Sequence, residues 1–260
     1  MGTTPLFAEE RRYEIIKLLG EKTKLLIPAL CEQFGVSPAT IRNDLRALER
    51  KGVLKRTHGG AISVSKAGFE LSNQSKEVGR IEEKRRIAAY AESLIEDGDT
   101  ILLDTGTTTM ELAKLLTSKS NLKVVTNDIK IALFLEENTD ASIFLLGGML
   151  RRSFHNTMGA ITAQQVSGLN VDKAFMAANS LCADKGFTTP VLDLVNVKKA
   201  MISAASMVVF LVDSHKIGRV TFAQFAGLND ADKLITDDGA DMKYINRLRE
   251  ANKYIDIVIV

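Results

Sequence analysis

Apolar residues recur at helical spacing through the first sixty positions, and from residue 100 onward they come instead as short continuous runs. Ile15, Leu18 and Leu19 share one face of a helix expected from about Leu6 to Leu19, with Gly20 as its stop. A short second helix, about Ile27 to Phe34, buries Leu30 and Phe34 and ends at Gly35. A third follows in GVSPATIRNDLRALERKG. Ser37 suits its N-cap, and Pro38 suits the first helical position, where a missing N–H costs nothing. Ile41, Leu45 and Leu48 fall at i, i+4 and i+7 and face inward, which leaves Ala39, Arg42, Asn43, Arg46 and Arg50 on the opposite face. Gly52 ends the helix, and VLKRTHGGAISV reads as two short strands around His58, Gly59 and Gly60.

Between Ser63 and Gly79 lie four Ser, two Gly and scattered charges, with Val64, Phe69, Leu71 and Val78 as the only large apolar residues, so the pattern loosens into a connection. A helix opening at Ile81 then carries Ile87, Ala88, Ala91, Leu94 and Ile95 as an apolar stripe, closed by Asp97-Gly98-Asp99. Beyond it TILLD, LKVVT, SIFLL, KAFMAA, MVVFLVD and KLITD alternate with mostly helical segments, and IDIVIV reads as a last strand. Continuous apolar strands alternating with helices predict an α/β domain around a largely parallel sheet covered by helices. The division expected is a small N-terminal domain over 1–62, a linker over 63–80 and an α/β domain over 81–260.

Composition leaves this picture intact: 260 residues, 45% apolar and 25% charged, are those of an ordinary globular chain. The overall charge of +2 says little, but its distribution says more. Residues 1–60 hold 11 basic and 7 acidic side chains, and the remaining 200 hold 23 and 25. A basic end on a mildly acidic body suggests divided labour. Cys31 and Cys182 have no metal-ligand spacing and are expected to be buried free thiols in a reducing compartment, with no metal and no cofactor. No apolar run reaches the roughly 20 residues of a membrane helix. Charged Glu9 to Arg12 argue against a signal peptide, and Leu6 stands where a myristoylation site wants Ser or Thr. The expectation is a cytoplasmic protein without membrane attachment.

On the third helix, short polar residues at the start with guanidiniums further along suit insertion into a major groove. There Arg pairs with guanine or phosphate and Asn with adenine. Lys55, Arg56 and His58 on the hairpin lie where phosphates would pass. A charged helix face alone is usually just solvated. Here the short second helix, the Gly35 turn, the capped third helix and the basic hairpin agree on a helix-turn-helix with a wing.

In a parallel sheet, ligands bind beyond the carboxyl ends of the strands. Asp104-Thr105-Gly106-Thr107-Thr108-Thr109 follows the first run and leads into a helix. Thr126-Asn127-Asp128, Gly147-Gly148 with Arg151 and Arg152, Asn179, and Asp213-Ser214-His215-Lys216 follow later ones. Each turn is ordinary by itself. Collected at one sheet edge, they make a pocket for a phosphorylated sugar or polyol, with the Thr107–Thr109 turn for the phosphate and Arg151, Lys198 or Lys216 as supporting charges.

At this point the chain resembles the DeoR family of bacterial transcription regulators over nearly its whole length. The resemblance rests on GVSPATIRNDLRALERKGVLKRTHGGA and, in order, on LDTGTTT, VVTN, LLGG, VDKAFMAAN with GFTT, VKKAM, LVDSHK and LITD. It implies a winged helix-turn-helix repressor whose α/β sensor domain is similar to ribose-5-phosphate isomerase and CoA transferase folds. It also implies assembly as dimers or tetramers on double-stranded operator DNA. Carried over residue by residue, it assigns DNA reading to Ser37, Thr40, Arg42, Asn43 and Arg46, with Lys55, Arg56 and His58 nearer the backbone. It assigns effector binding to Asp104, Gly106, Thr107, Thr108, Thr109, Asn127, Gly148, Lys198, Asp213 and Lys216. Leu194-Val195-Asn196, where many members carry carboxylates, and Asn179-Ser180-Leu181-Cys182, in place of a Gly-containing turn, are departures near the expected pocket.

Two other readings fit parts of the chain. Asp104, Asp213 and Lys216 could serve a sugar-phosphate isomerase, but a DNA-binding module has no use there, so no catalytic residue is assigned. A constitutive DNA-binding protein with a non-sensing oligomerisation domain would keep the same turns.

Overall fold

The computed structural model describes residues 6–21, 24–50, 54–63, 70, 76 and 80–260. It divides into two compact units, 1–71 and 72–260. Most of the expected linker, and the expected helix stop at Gly52, lie outside the described residues.

In the first unit α1 spans Ala8–Glu21, α2 Ile27–Phe34 and α3 Pro38–Arg50. The helix expected to stop at Gly20 continues through it to Glu21. Ile15, Leu30, Ile41, Leu45 and Leu48 form the shared core, each at most 1% exposed. The third helix starts as its sequence dictates: the Ser37 Oγ accepts from the Thr40 N–H at 3.2 Å, an N-cap bond that satisfies one of the first-turn donors. The hairpin consists of β2 (Leu54–Thr57) and β3 (Gly60–Ser63), paired antiparallel with Thr57 opposite Gly60.

Periodicity missed a third strand, β1 (Lys24–Leu26), which pairs with β3 from the other side. Gly60 is what lets it in, because a Cβ there would stand 1.9 Å from the Leu25 carbonyl oxygen. Periodicity also gave no role to Asp44. It lies on the inward face of α3, 1% exposed, and its carboxylate accepts from Arg11 Nε at 2.6 Å and Arg12 Nε at 2.8 Å. That pairing ties α1 to α3 and explains how a charge is tolerated among Ile41, Leu45 and Leu48.

In the second unit, α4 (Ile81–Glu92) leads into a seven-stranded parallel sheet. Its strands are β4 (Thr100–Leu103), β5 (Lys123–Thr126), β6 (Ser142–Leu145), β9 (Val171–Ala177), β12 (Ala205–Leu211), β14 (Lys233–Thr236) and β15 (Asp256–Ile259). They are the seven apolar runs of the sequence, in the spatial order β15-β14-β12-β9-β4-β5-β6. Ile101 and Leu103 join one core with Ile87 and Phe175, and Leu102 joins the other with Met176 and Phe210. Burial on both faces is why the runs read as continuous. Helices α5 (Thr107–Leu115) and α6 (Ile129–Asn138) cover the first face; α7 (Ala160–Val166), α8 (Val195–Ser203) and α9 (Met242–Ala251) lie against the second.

Two small antiparallel sheets were not expected. One pairs β7 (Met149–Arg151) with β8 (Asn156–Met158). The other joins β10 (Ser180–Cys182), β11 (Gly186–Thr189) and β13 (Ala223–Ala226), with Phe187 stacked on Phe210 at 3.5 Å between ring centroids. Cys31 and Cys182 are free thiols, half-buried and not fully buried as expected.

Candidate functional sites

The outer face of α3 presents Arg42, Asn43 and Arg46 exposed, with Ser37 exposed and Thr40 half-buried at its start. These residues sit together because α3 commits its other side to the core, and a 3.6-residue period leaves them nowhere else to point. Arg46 donates to the Asn43 Oδ1 at 3.1 Å, so the two present one joined polar surface. On the hairpin, Lys55 and His58 are exposed. Arg56 differs. Its guanidinium reaches the Glu49 carboxylate at 2.5 Å, and its backbone N–H donates to the same carboxylate at 2.9 Å. This contact pins the hairpin to α3, and Arg56 with its backbone N–H holds the Glu49 carboxyl below its ordinary value.

The second cluster stands at the carboxyl ends of the parallel strands. From β4 the chain steps to β5 and β6 in one direction; β9, β12, β14 and β15 step away in the other. The order therefore reverses between β4 and β9, and at such a switch point the loops diverge and leave a crevice. Asp104 occupies it, fully buried. Its carboxylate accepts from the Thr105 and Ala177 N–H groups, both at 2.9 Å, and from the Lys198 ammonium, which also donates to the Ala177 carbonyl at 2.9 Å. Asp104 and Lys198 thereby fasten the ends of β4 and β9 to α8.

Two neighbouring helices begin at this edge and differ at their starts. Asp128 caps α6, accepting from the Lys130 N–H at 2.9 Å and the Ile131 N–H at 3.3 Å. Burial raises its pKa; the Thr105 hydroxyl, donating at 2.7 Å, works against that shift. The cap of α5 is Gly106, which has no side chain to offer, so the first-turn N–H groups are left for another acceptor. Thr107 is half-buried there, Thr108 and Thr109 are buried, and Thr109 donates back to the Gly106 carbonyl at 2.9 Å. The Thr108 Oγ1 is buried without a hydrogen-bond partner, as are the Asn127 Oδ1 after β5 and the Asn156 Oδ1 on β8. Asn156 reaches the same group of residues through its amide, which donates to the Thr105 hydroxyl at 3.1 Å. Sequence reading missed Asn156 because it lies in a hairpin that leaves no periodic signal. Buried oxygens of this kind are costly unless something pairs with them.

Asp213, after β12, is buried, with Lys216 at 3.3 Å. Burial by itself would raise its pKa, but Lys216, Lys84 and Arg80 outweigh that and hold the carboxyl below its ordinary value. Neither Arg80 nor Lys84 was singled out from the sequence. Arg80 binds Asp237 after β14 at 3.0 Å and the Ser214 hydroxyl at 2.9 Å. Arg151, at the end of β7, lies 3.6 Å from the centroid of the Phe154 ring, which the Lys76 ammonium approaches to 5.6 Å. Gly148 is required sterically. With φ at 146° it lies against α7, and a Cβ there would stand 2.0 Å from the Thr162 hydroxyl. Among the described residues no group of three or more His, Cys, Asp or Glu could hold a metal ion, and no helix is long and apolar enough to cross a membrane.

A winged helix-turn-helix with a cationic recognition face, joined in one chain to a parallel-sheet unit with polar groups gathered at its switch point, defines a DNA-binding regulator with a ligand-sensing domain. Residues 11–67 match the DeoR-like helix-turn-helix domain, and residues 80–238 match the DeoR C terminal sensor domain. The chain belongs to the DeoR family of transcriptional regulators. It is 37% identical over 232 residues to the HTH-type transcriptional regulator GlpR of Haloferax volcanii, covering 89% of this chain and 91% of that protein. It is 34% identical over 253 residues to the lactose phosphotransferase system repressor of Streptococcus mutans, covering 96% and 98%. A solved D-ribose-5-phosphate isomerase in complex with phospho-erythronic acid is a distant likeness, 24% identical with a TM-score of 0.40, covering 52% of this chain and 53% of that one. The relatives are named as transcriptional regulators, and this chain is a regulator and not an enzyme.

Proposed function

We propose that the protein represses genes of sugar metabolism and that a phosphorylated sugar or polyol, bound at the β4–β9 switch point, modulates its hold on operator DNA. The observation that carries this reading is the set of buried oxygens on Thr108, Asn127 and Asn156 around a helix start capped only by glycine. Open N–H groups and the helix dipole favour an anion, while the hydroxyl and amide oxygens suit the hydroxyls of a polyol. Asp213 and Lys216 supply an acceptor and a cation at the next strand end but one, and Asp104 with Lys198 fixes the loop between them. No cofactor is needed for such a cycle. The repressor of a lactose phosphotransferase system among the relatives supports both repression and the sugar theme.

Self-association in the cytoplasm belongs to the same reading. Helix-turn-helix proteins read operators as paired half-sites about 34–36 Å apart. An apolar edge at Phe144, Leu145, Met149 and Leu150, each 43–57% exposed, supports contact between copies, and light scattering on the full chain measures the resulting mass. The proposed division of labour is DNA binding by 1–62, connection by 63–80 and sensing by 81–260.

The effector must bind one conformation better than the other, since equal affinity shifts nothing. Fluorescence anisotropy on labelled DNA from upstream of the protein's own gene, titrated with pentose, hexose and polyol phosphates, tests the reading. One phosphate that displaces the binding curve is the expected result. Tight binding untouched by the whole panel would instead make the protein a constitutive DNA binder.

A further inference from the structure

Asn156 reaches the edge of the parallel sheet from outside it. It lies on β8, 2% exposed, and pairs in an isolated antiparallel bridge with Asp128, the cap of α6. Backbone bonds on either side fasten that bridge: the Ile129 N–H donates to the His155 carbonyl at 2.8 Å, and the Thr157 N–H donates to the Asn127 carbonyl at 2.9 Å. The side chain then reaches Thr105, the residue before the glycine cap of α5, through its amide contact of 3.1 Å. A Val would fill a buried strand position without the cost of desolvating an amide, so packing alone does not account for Asn156.

The hydrogen bonds of Thr105 fix which way that amide points. A hydroxyl has one proton, and the Asp128 carboxylate, which only accepts, takes it at 2.7 Å. Toward Asn156 the Thr105 oxygen is therefore an acceptor, and Asn156 must offer its NH2 group there. Turned over, the amide would set two oxygens face to face with no proton between them. Its Oδ1 is thus turned away from Thr105, buried and without a partner among the described residues. Asn127 is oriented in the same way, because its amide nitrogen donates at 2.9 Å to the Thr157 carbonyl, which only accepts. Its Oδ1 is likewise buried and unpaired. Both oxygens need a proton donor. A phosphate dianion has none to offer, whereas a free hydroxyl does.

We propose that Asn156 is a specificity-determining residue whose Oδ1 accepts a hydrogen bond from a free hydroxyl on the carbon chain of the effector, and that Thr105 is the positioning residue that holds this acceptor in place. This rests on the effector reading above and divides the ligand between two ends of one site. The phosphoryl group goes to the open N–H groups of α5, which donate, and the carbon chain carries a hydroxyl to Asn156, which accepts. Hydrogen, a ketone oxygen or a second phosphate at that carbon leaves the Asn156 oxygen buried and unpaired. The class selected is a phosphorylated sugar or polyol with that hydroxyl free.

Isothermal titration of the full chain tests it, using the panel phosphate that displaces the anisotropy curve, its monodeoxy and ketone analogues, and inorganic phosphate. At least one monodeoxy analogue is expected to bind wild type about 10- to 100-fold more weakly than its parent, the cost of a buried acceptor left unpaired. In Asn156→Ala that analogue and its parent should agree within a few-fold, since no oxygen is left to satisfy, and inorganic phosphate should bind both proteins alike. In Thr105→Val the amide is free to turn. The ketone at that same carbon, rejected by wild type, should then regain about tenfold relative to the hydroxyl, while Thr105→Ser keeps the wild-type preference. If Asn156→Ala does not fold, as circular dichroism will report, the hydroxyl-to-ketone ratio in Thr105→Val decides. Deoxy analogues that lose nothing in wild type, or losses that persist unchanged in Asn156→Ala, would overturn the proposal and leave the effector reading standing. A wild-type protein that binds no phosphate in the panel overturns both.

Discussion

The two sites handle positive charge in opposite ways. On α3 the guanidiniums of Arg42 and Arg46 stand in solvent, while at the carboxyl edge of the sheet Lys198, Lys84 and Arg80 are enclosed and bonded to carboxylates or carbonyls. Exposed cations suit a ligand that is itself a long polyanion, because affinity comes from many screened contacts and counterion release. Enclosed cations suit a small dianion that must be told apart from its neighbours, since in a low-dielectric site each contact is worth more and each misfit costs more. A charge at the second site must therefore be braced when it is built, and the bracing ties strand ends, helices and turns into one unit.

The largest test of this contrast is Asp104→Ala. It would leave the Lys198 ammonium buried without its carboxylate, which costs about 3–5 kcal/mol. The sensor unit should melt markedly earlier in calorimetry, and an unchanged transition would show that the pair is not a brace. Asp44→Ala makes the corresponding cut in the DNA-binding unit. The Arg12 side chain is 29% exposed and can turn to water, so the loss should sit near the low end, about 3 kcal/mol, and should fall on that unit's transition alone. Arg42→Ala leaves stability unchanged and is expected to cost about 1–3 kcal/mol of operator affinity, measured by anisotropy against random DNA. Equal loss on both DNAs would reduce Arg42 to a phosphate contact. The smallest stability effect belongs to Thr108→Val, because the hydroxyl it removes has no protein partner. Melting should move little and operator binding should hold, while the effector response is blunted; a full response would shift the phosphate away from α5.

The same contrast explains what could be read in advance. The face of α3 is a matter of one helix and its period, so Ile41, Leu45 and Leu48 on one side placed Arg42, Asn43 and Arg46 on the other. The seven strands were legible because burial on both faces demands unbroken apolar runs. Asp44 was passed over because a short acid inside an amphipathic helix looks like surface until Arg11 and Arg12 arrive from α1. Strand β1 was missed because three residues carry no period, and the ion pair of Arg56 with Glu49 was not foreseen because it joins two elements.

By itself the sequence determined the order of helices and strands, the recognition face and the turns that end the parallel strands, because each depends on contacts a few residues apart. Tertiary structure decided which of those turns meet at the β4–β9 switch, that Lys198 closes on Asp104 across 94 residues, and that Asn156 joins them through Thr105. Those pairings depend on strand order, which no local periodicity encodes. Their strength also depends on burial, which exists only once both faces of the sheet are covered.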